Sequence, residues 1–350
     1  MRAARMHAYD QPLVLEDVPI PDLAADEVLV KVGAAGMCRT DVQLVDGYFR
    51  KYAEMTFPVT PGHEIAGTVE KVGSLVKGFQ EGAQVVVVGG WGDETCRHCH
   101  RGDTHICAHG RWPGFGPYGG YGEYVPVPAR YAIEVDARFG LSAEELAPLT
   151  DAGLTPYRGI KKLRDAGALG PNRVLAVFGV GGLGSYAVQY AKLLGGGATV
   201  VAFARNEEKL AIARDFGADH VVGTRGRSLD DVRRELTRLA GQGEVDAVID
   251  CAGATEMLQL GFGLLAIAGH YASVGLVGDR IDIPLFPFVA REYTYHGSFW
   301  GNYNDLAEVV ALARQGKVRH AVKVIRFEDI NANLELLRTG AVVGRAVVKY

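Results

Sequence analysis

The six residues Gly179-Val180-Gly181-Gly182-Leu183-Gly184 restrict what this chain can fold into more than any other stretch. They follow the apolar run Val174–Phe178 and lead into a segment with Leu183, Ala187, Ala191 and Leu194 on one helical face. A G-x-G-x-x-G string is weak evidence alone, but at a strand-to-helix junction each glycine has a physical reason. Gly179 permits the tight turn, Gly181 lets the backbone approach a pyrophosphate, and Gly184 lets helix and strand pack closely. The phosphates then meet unpaired N–H groups at the positive end of the helix. The plainer alternative is a turn rich in glycine for packing alone.

The same alternation continues downstream. A second β-like run spans residues 199–203, Asn206 can cap a helix that stops at Gly217, and further strands are predicted at 245–250 and 270–275. Val232, Leu236 and Leu239 share one face of a helix between the third and fourth strands. Strands alternating with helices in this way predict an α/β class with a doubly wound parallel sheet. The end of the second strand bears on which dinucleotide is bound, because an acid there accepts the adenosine ribose hydroxyls of NAD and repels the extra phosphate of NADP. Here Ala204 stands where the acid would fall, and Arg205 beside it can pair with a 2′-phosphate. This favours NADP(H) over NAD(H), unless Arg205 only stacks on adenine or faces solvent.

At 350 residues the chain exceeds what one core usually serves, so two domains are expected. The first 150 residues read differently from the rest. Short alternating segments at 28–32 and 85–88, punctuated by glycine and proline, predict a β-rich domain, and the run 346–349 could return to close it. With 48% hydrophobic and 22% charged residues the composition is globular, and a net charge of −4 gives no bulk attraction to nucleic acid or anionic membrane. No stretch approaches the ~20 apolar residues of a membrane span, and the N-terminus lacks an apolar signal core, which leads to an expected cytoplasmic location.

Three of five cysteines, Cys96, Cys99 and Cys107, crowd one loop. In a reducing compartment such spacing binds zinc structurally more often than it forms disulfides. A fourth ligand is needed; Asp93 is best placed, Glu94 is second, and His98, His100, His105 and His109 share the loop. A dispersed set lies in Gly36-Met-Cys38-Arg39-Thr40-Asp41, in Gly62-His63-Glu64 and in Leu149-Thr-Asp151-Ala-Gly-Leu-Thr155. Singly, Cys38 reads as a core residue, His63 as a hydrogen-bonded core histidine and Asp151 as a helix cap.

Taken together with their spacing, these segments resemble the zinc-containing medium-chain alcohol dehydrogenases over essentially the whole chain, with the run 147–155 nearest to bacterial members acting on secondary alcohols and ketones. The resemblance implies a GroES-like catalytic domain formed by 1–153 with 295–350, and a Rossmann domain over 154–294. It implies a catalytic zinc held by Cys38, His63 and Asp151 with a fourth position open to substrate. Glu64 would bind the metal transiently, Asp41 would orient the histidine ring, and Thr40 would exchange the substrate proton. Thr155, Val274 and Leu276 would lie near the nicotinamide, with Arg345 and Arg39 near the pyrophosphate. Phe49, Tyr52, Trp91, Phe299 and Trp300 would line an apolar pocket suited to alkyl or aryl alcohols, aldehydes and ketones. Family members form dimers or tetramers, here through the apolar segment 282–288.

Three departures from the family pattern stand out. An acid replaces the first structural cysteine, no acid follows the second strand, and Gln43 occupies the place where some members end the proton relay with histidine. Glutamine is no base, so that step passes to water, a ribose hydroxyl or Asp46. The competing readings are a zinc-free quinone or enoyl reductase of the same superfamily, a zinc-knuckle nucleic-acid binder and a catalytically silent dinucleotide sensor. The metal triad speaks against the first and the acidic balance against the second.

Overall fold

A computed structural model describes residues 1–350, which divide into two compact units: Met1–Leu154 with Gly301–Tyr350, and Thr155–Trp300. The sequence expectation put the second boundary at 294. The strand Thr294–Gly297 instead pairs in parallel with Leu265–Ser273 and completes the second unit's sheet, which moves that boundary to 300.

The second unit is a six-stranded parallel sheet. Its order is His220–Gly223, Thr199–Ala204, Val174–Phe178, Val245–Asp250, Leu265–Ser273, Thr294–Gly297. In chain order this is the 3-2-1-4-5-6 arrangement of a Rossmann fold, with its switch point beside the first strand. Val174–Phe178 is wholly buried, as a central parallel strand must be. Phe178 meets Phe203 edge to face at 4.6 Å, and Val232, Leu236 and Tyr271 complete the same core. Truncating Phe203 to alanine there removes about 3–5 kcal/mol by the usual cost of such cavities. The helix Leu229–Ala240 starts at a capping box in which Ser228 accepts from the Asp231 N–H and the Asp231 carboxylate accepts from the Ser228 N–H. The fifth strand starts at Leu265, earlier than its sequence pattern suggests, and bends at Ala268, which has φ +55°. The segment 282–288 forms no strand; it leads into the short helix Leu285–Ala290, with Leu285, Phe286 and Val289 exposed.

The first unit is built on a mainly antiparallel sheet. The long strand Glu27–Gly36 pairs with Glu64–Val72, Tyr124–Pro128 and the C-terminal strand Arg345–Lys349. Val347 lies opposite Gly36, so the last residues of the chain do return to this domain. No helix of the protein is long and apolar enough to cross a membrane.

Candidate active site and metal centres

Every group of the buried polar centre comes from the first unit. Cys38 precedes the helix Arg39–Val45, and the Asp41 side chain reaches back to accept from the Cys38 N–H at 2.8 Å. His63 follows Gly62, whose φ of +90° turns the chain sharply into the strand Glu64–Val72. Asp151 ends the turn Ala147–Thr150. Gly36 has no room for a side chain, since a Cβ there would lie 1.7 Å from Glu64 Oε2. Its absence lets the Glu64 carboxylate cross the sheet.

These segments bring one ligand atom each from Cys38, His63, Glu64 and Asp151 within 4.8 Å of one another, all buried. Asp151 Oδ2 lies 3.4 Å from Cys38 Sγ and 3.6 Å from His63 Nε2. Asp41 Oδ1 is 3.3 Å from His63 Nδ1, which leaves Nε2 turned to the cluster. Thr40 Oγ1 lies 3.4 Å from Cys38 Sγ. Arg345, also buried, donates from Nε to Glu64 Oε2 at 2.9 Å and from Nη2 to Asp151 Oδ2 at 3.1 Å, with a second contact to Glu64 Oε1. The residue expected by the pyrophosphate therefore turns its guanidinium to the carboxylates of this centre.

The acidic groups of the cluster hold its bases charged. Burial disfavours charge on His63, yet Asp41, Asp151 and Cys38 outweigh it and push the imidazole well above its ordinary value. Arg345 is held charged in the same way: burial opposes it, and Glu64, Cys38 and Asp151 win. Burial lifts the Glu64 carboxyl to about 7 despite Arg345. A cysteine, a histidine and two acidic side chains converging in one buried pocket form a donor set that fits a divalent cation in ligand chemistry, and such an ion would take the place of the proton that the neighbouring acids favour on His63.

A second constellation lies near the surface. Cys96 Sγ is 3.6 Å from Cys99 Sγ and 3.8 Å from Cys107 Sγ, and Cys99 Sγ is 3.5 Å from Asp93 Oδ1. Asp93 thus joins the three thiols, whereas Glu94 turns away to pair with Arg130 and the loop histidines stay outside the group. Gly92 makes this possible, because a Cβ there would sit 2.3 Å from Cys99 Sγ. The Thr95 N–H and hydroxyl hold the Asp93 carboxyl well below the usual range, so it is available as an anion.

In the Rossmann unit the three glycines behave as their spacing predicts. Gly179 has φ +84°, a Cβ on Gly184 would lie 1.9 Å from the Gly179 carbonyl oxygen, and around Gly181 there is open space. Gly181 precedes the helix Gly182–Leu194, so that open space lies at the helix N-terminus, where backbone N–H groups have no partner within the helix. Val180 is buried, while Gly182 and Leu183 are half-buried at the helix start. Thr155 and Val274 are buried and Leu276 is exposed. Arg205 is exposed beside buried Ala204, at the end of the second strand.

Several expected side chains are engaged elsewhere. Arg39 Nη1 donates to the carbonyls of Leu337 and Arg338 at 3.0 and 3.2 Å, satisfying the end of the helix Ile330–Arg338. Asp46, one candidate to finish the proton relay, pairs with Arg338 at 2.6 Å. Tyr52 is 63% exposed and lies against Tyr48. Trp91 donates to the Val88 carbonyl and stacks on Tyr131 at the root of the cysteine loop. Phe299 and Trp300 belong to the second unit, where they meet edge to face. Phe49 does approach the centre, through a residue the sequence reading missed: it packs on Phe115, whose ring lies 6.2 Å from the His63 ring, with Trp112 on the other side. Tyr121, also missed, donates from its hydroxyl to Asp41.

A parallel sheet with a dinucleotide turn, together with a cluster suited to a divalent cation, defines a nicotinamide-linked, metal-dependent dehydrogenase. Comparison with known proteins agrees. Residues 24–137 match the alcohol dehydrogenase GroES-like domain and residues 182–315 the zinc-binding dehydrogenase domain. An NAD-dependent alcohol dehydrogenase of Sulfurisphaera tokodaii is 37% identical, with 99% of each chain covered. A D-arabinose 1-dehydrogenase (NADP(+)) of Saccharolobus solfataricus is 34% identical over 99% of this chain and 97% of its own. The crystal structure of the alcohol dehydrogenase from Aeropyrum pernix superposes with a TM-score of 0.93 at 37% identity, with both chains covered in full. The chain belongs to the zinc-type medium-chain alcohol dehydrogenase family, whose members carry out NAD(P)-dependent oxidoreduction of alcohols and carbonyl compounds.

Proposed function

We propose that this enzyme interconverts small apolar or aryl secondary alcohols and their ketones with NADP(H), using a catalytic zinc held by Cys38, His63 and Asp151 and a structural zinc held by Asp93, Cys96, Cys99 and Cys107. The observation that carries the reading is the convergence of Cys38, His63, Glu64 and Asp151, from distant stretches of chain, into one buried cluster. When bound there, zinc supplies Lewis acidity at the substrate oxygen. The chain's own residues do the rest. Asp41 keeps the proton on His63 Nδ1, Arg345 restrains the Glu64 and Asp151 carboxylates, and the Thr40 hydroxyl beside Cys38 hands the substrate proton outward. With Asp46 tied to Arg338, water or a ribose hydroxyl takes that proton beyond Thr40.

The aromatic wall of Phe49, Phe115 and Trp112 beside His63 supports an apolar substrate. A sugar, the substrate class in the name of one relative, needs polar partners for each hydroxyl, and these ring faces offer none. Ala204 and Arg205 support NADP(H), against the NAD-dependent names of several relatives. The exposed Leu285, Phe286 and Val289 beside segment 282–288 support assembly into a dimer or tetramer, which sedimentation would reveal.

The test follows nicotinamide absorbance with NADPH and NADH against aryl ketones, alkyl ketones and an aldose, for the native enzyme and for Ala204→Asp. NADPH should give the higher kcat/KM with aryl or alkyl ketones. Ala204→Asp should lower kcat/KM for NADPH roughly 10–100-fold, the effect of placing a carboxylate against a phosphate, and leave NADH at least as good. Native turnover that is faster with NADH at every concentration would refute the cofactor assignment, and turnover confined to the aldose would refute the substrate assignment.

A further inference from the structure

We infer that Tyr121 is a positioning residue of the buried metal centre, acting on His63 and Cys38 through the Asp41 carboxylate. Asp41 is the hub that ties the two ligand-bearing segments together. Its Oδ2 accepts from the Cys38 N–H at 2.8 Å, and its Oδ1 accepts from the Gly62 N–H at 3.3 Å and faces His63 Nδ1 at 3.3 Å. One carboxylate therefore touches the backbone at Cys38, the backbone just before His63 and the imidazole itself. The Tyr121 hydroxyl donates to Oδ2 at 2.8 Å, adding a donor from a third stretch of chain.

The direction of that hydrogen bond matters. With the Cys38 N–H and the Tyr121 hydroxyl both on Oδ2, the carboxylate cannot rotate about its Cβ–Cγ bond without losing two donors in a dry site. Oδ1 is thereby kept facing His63 Nδ1, so that when an ion takes Nε2 the proton left on Nδ1 points at that carboxylate. The tyrosine is itself fixed. It is fully buried, its N–H donates to the Pro61 carbonyl at 3.0 Å, and the Gly120 N–H donates to the Gly62 carbonyl at 2.7 Å. Its ring lies so close to the Gly62 turn that a Cβ on Gly62 would come within 2.7 Å of Cδ1. Phenylalanine would fill the same space and satisfy the same backbone bonds, so the hydroxyl is the one contribution that Tyr121→Phe removes.

The inference rests on the reading that Cys38, His63 and Asp151 hold an ion, and the experiment separates the two. Native and Tyr121→Phe proteins, loaded with zinc, are titrated with a chromophoric chelator while a maleimide labels whichever thiols become free, and the labelled cysteines are located by mass spectrometry. In Tyr121→Phe the Cys38 thiol should be freed at about tenfold lower chelator concentration, the scale of effect that partners of metal-ligating histidines have. The thiols of Cys96, Cys99 and Cys107 should be freed as in the native protein, since they group with Asp93 and not with Asp41 or Tyr121. In an Asp41→Asn background Tyr121→Phe should add nothing further. Equal Cys38 release in native and Tyr121→Phe proteins would overturn the inference, as would equal loosening of both sets of thiols or an undiminished effect in Asp41→Asn. If the native protein holds one ion per chain and Cys38 is labelled with or without it, the reading of the metal centre falls as well.

Discussion

The two constellations proposed to hold metal gather similar side chains at opposite depths. Asp93, Cys96, Cys99 and Cys107 come from one loop, and all but Cys107 are partly open to solvent; Cys38, His63, Glu64 and Asp151 come from separate stretches and are all buried. The loop can assemble its ligands locally, because the short helix Arg97–His100 and the turn Thr104–Ile106 set the spacing of the thiols. The buried centre exists only once Glu27–Gly36 has paired with Glu64–Val72, which carries Gly36 to a position opposite Glu64. Each arrangement suits a different task. A local site stabilises the segment that carries it, whereas a buried site with Arg345, Asp41 and Tyr121 around it keeps polar groups oriented where water is excluded.

If the buried set does the chemistry, its loss should produce the largest effect in the molecule. His63→Ala or Cys38→Ser should lower kcat by roughly 10³-fold or more, the several kcal/mol that a Lewis acid contributes to a developing oxyanion. Dinucleotide binding, followed by fluorescence titration, should persist, because the open space at Gly181 belongs to the other unit. Turnover within tenfold of native in His63→Ala would erase the distinction between the sites. Cys107→Ser tests the opposite side. It should leave kcat at 25 °C within about twofold while lowering Tm by roughly 5 °C, corresponding to ~2 kcal/mol, and the bound zinc should fall from two ions per chain to one. A large fall in kcat with an unchanged Tm would reverse the assigned roles.

The same contrast explains what could be read from the sequence. The cysteine loop was legible because its ligands are neighbours in the chain and their spacing is the signal. The Rossmann unit was legible because parallel strands are continuously apolar and the glycines carry steric reasons, as Gly184 against the Gly179 carbonyl does. The buried centre has no local signature. Cys38, His63 and Asp151 each have a dull local explanation, and only family resemblance joined them. What stayed hidden depends on which side chains meet after folding. Nothing near Tyr121 in the chain announces Asp41, and nothing near Phe115 announces His63. Arg39 and Arg345 fit the pyrophosphate by position, yet one satisfies the end of a helix and the other restrains Glu64. The contacts of Tyr52 with Tyr48 and of Trp91 with Tyr131 are hidden for a related reason: aromatic character does not say which way a ring faces.

A smaller effect sharpens the comparison through pH. Metal binding at the loop must displace protons from thiols, and in the metal-free protein burial and its neighbours push the Cys99 thiol up to about 12. Between pH 6 and 8 that thiol remains protonated, so each rise of one unit should strengthen zinc binding at the loop by at least about tenfold. Asp93 contributes nothing to this slope. Its carboxyl lies well below the usual range, held by the Thr95 N–H and hydroxyl, and is already ionised throughout. Asp93→Asn should therefore weaken binding at every pH while leaving the slope of log affinity against pH unchanged. Asp93→Cys, which swaps the acid for a fourth thiol, should steepen the slope by up to about one. Competition titrations with the chromophoric chelator at pH 6, 7 and 8 measure both slopes. An unchanged slope in Asp93→Cys together with a flattened one in Asp93→Asn would mean that the acid itself titrates in this range, and that Thr95 does not hold it as an anion.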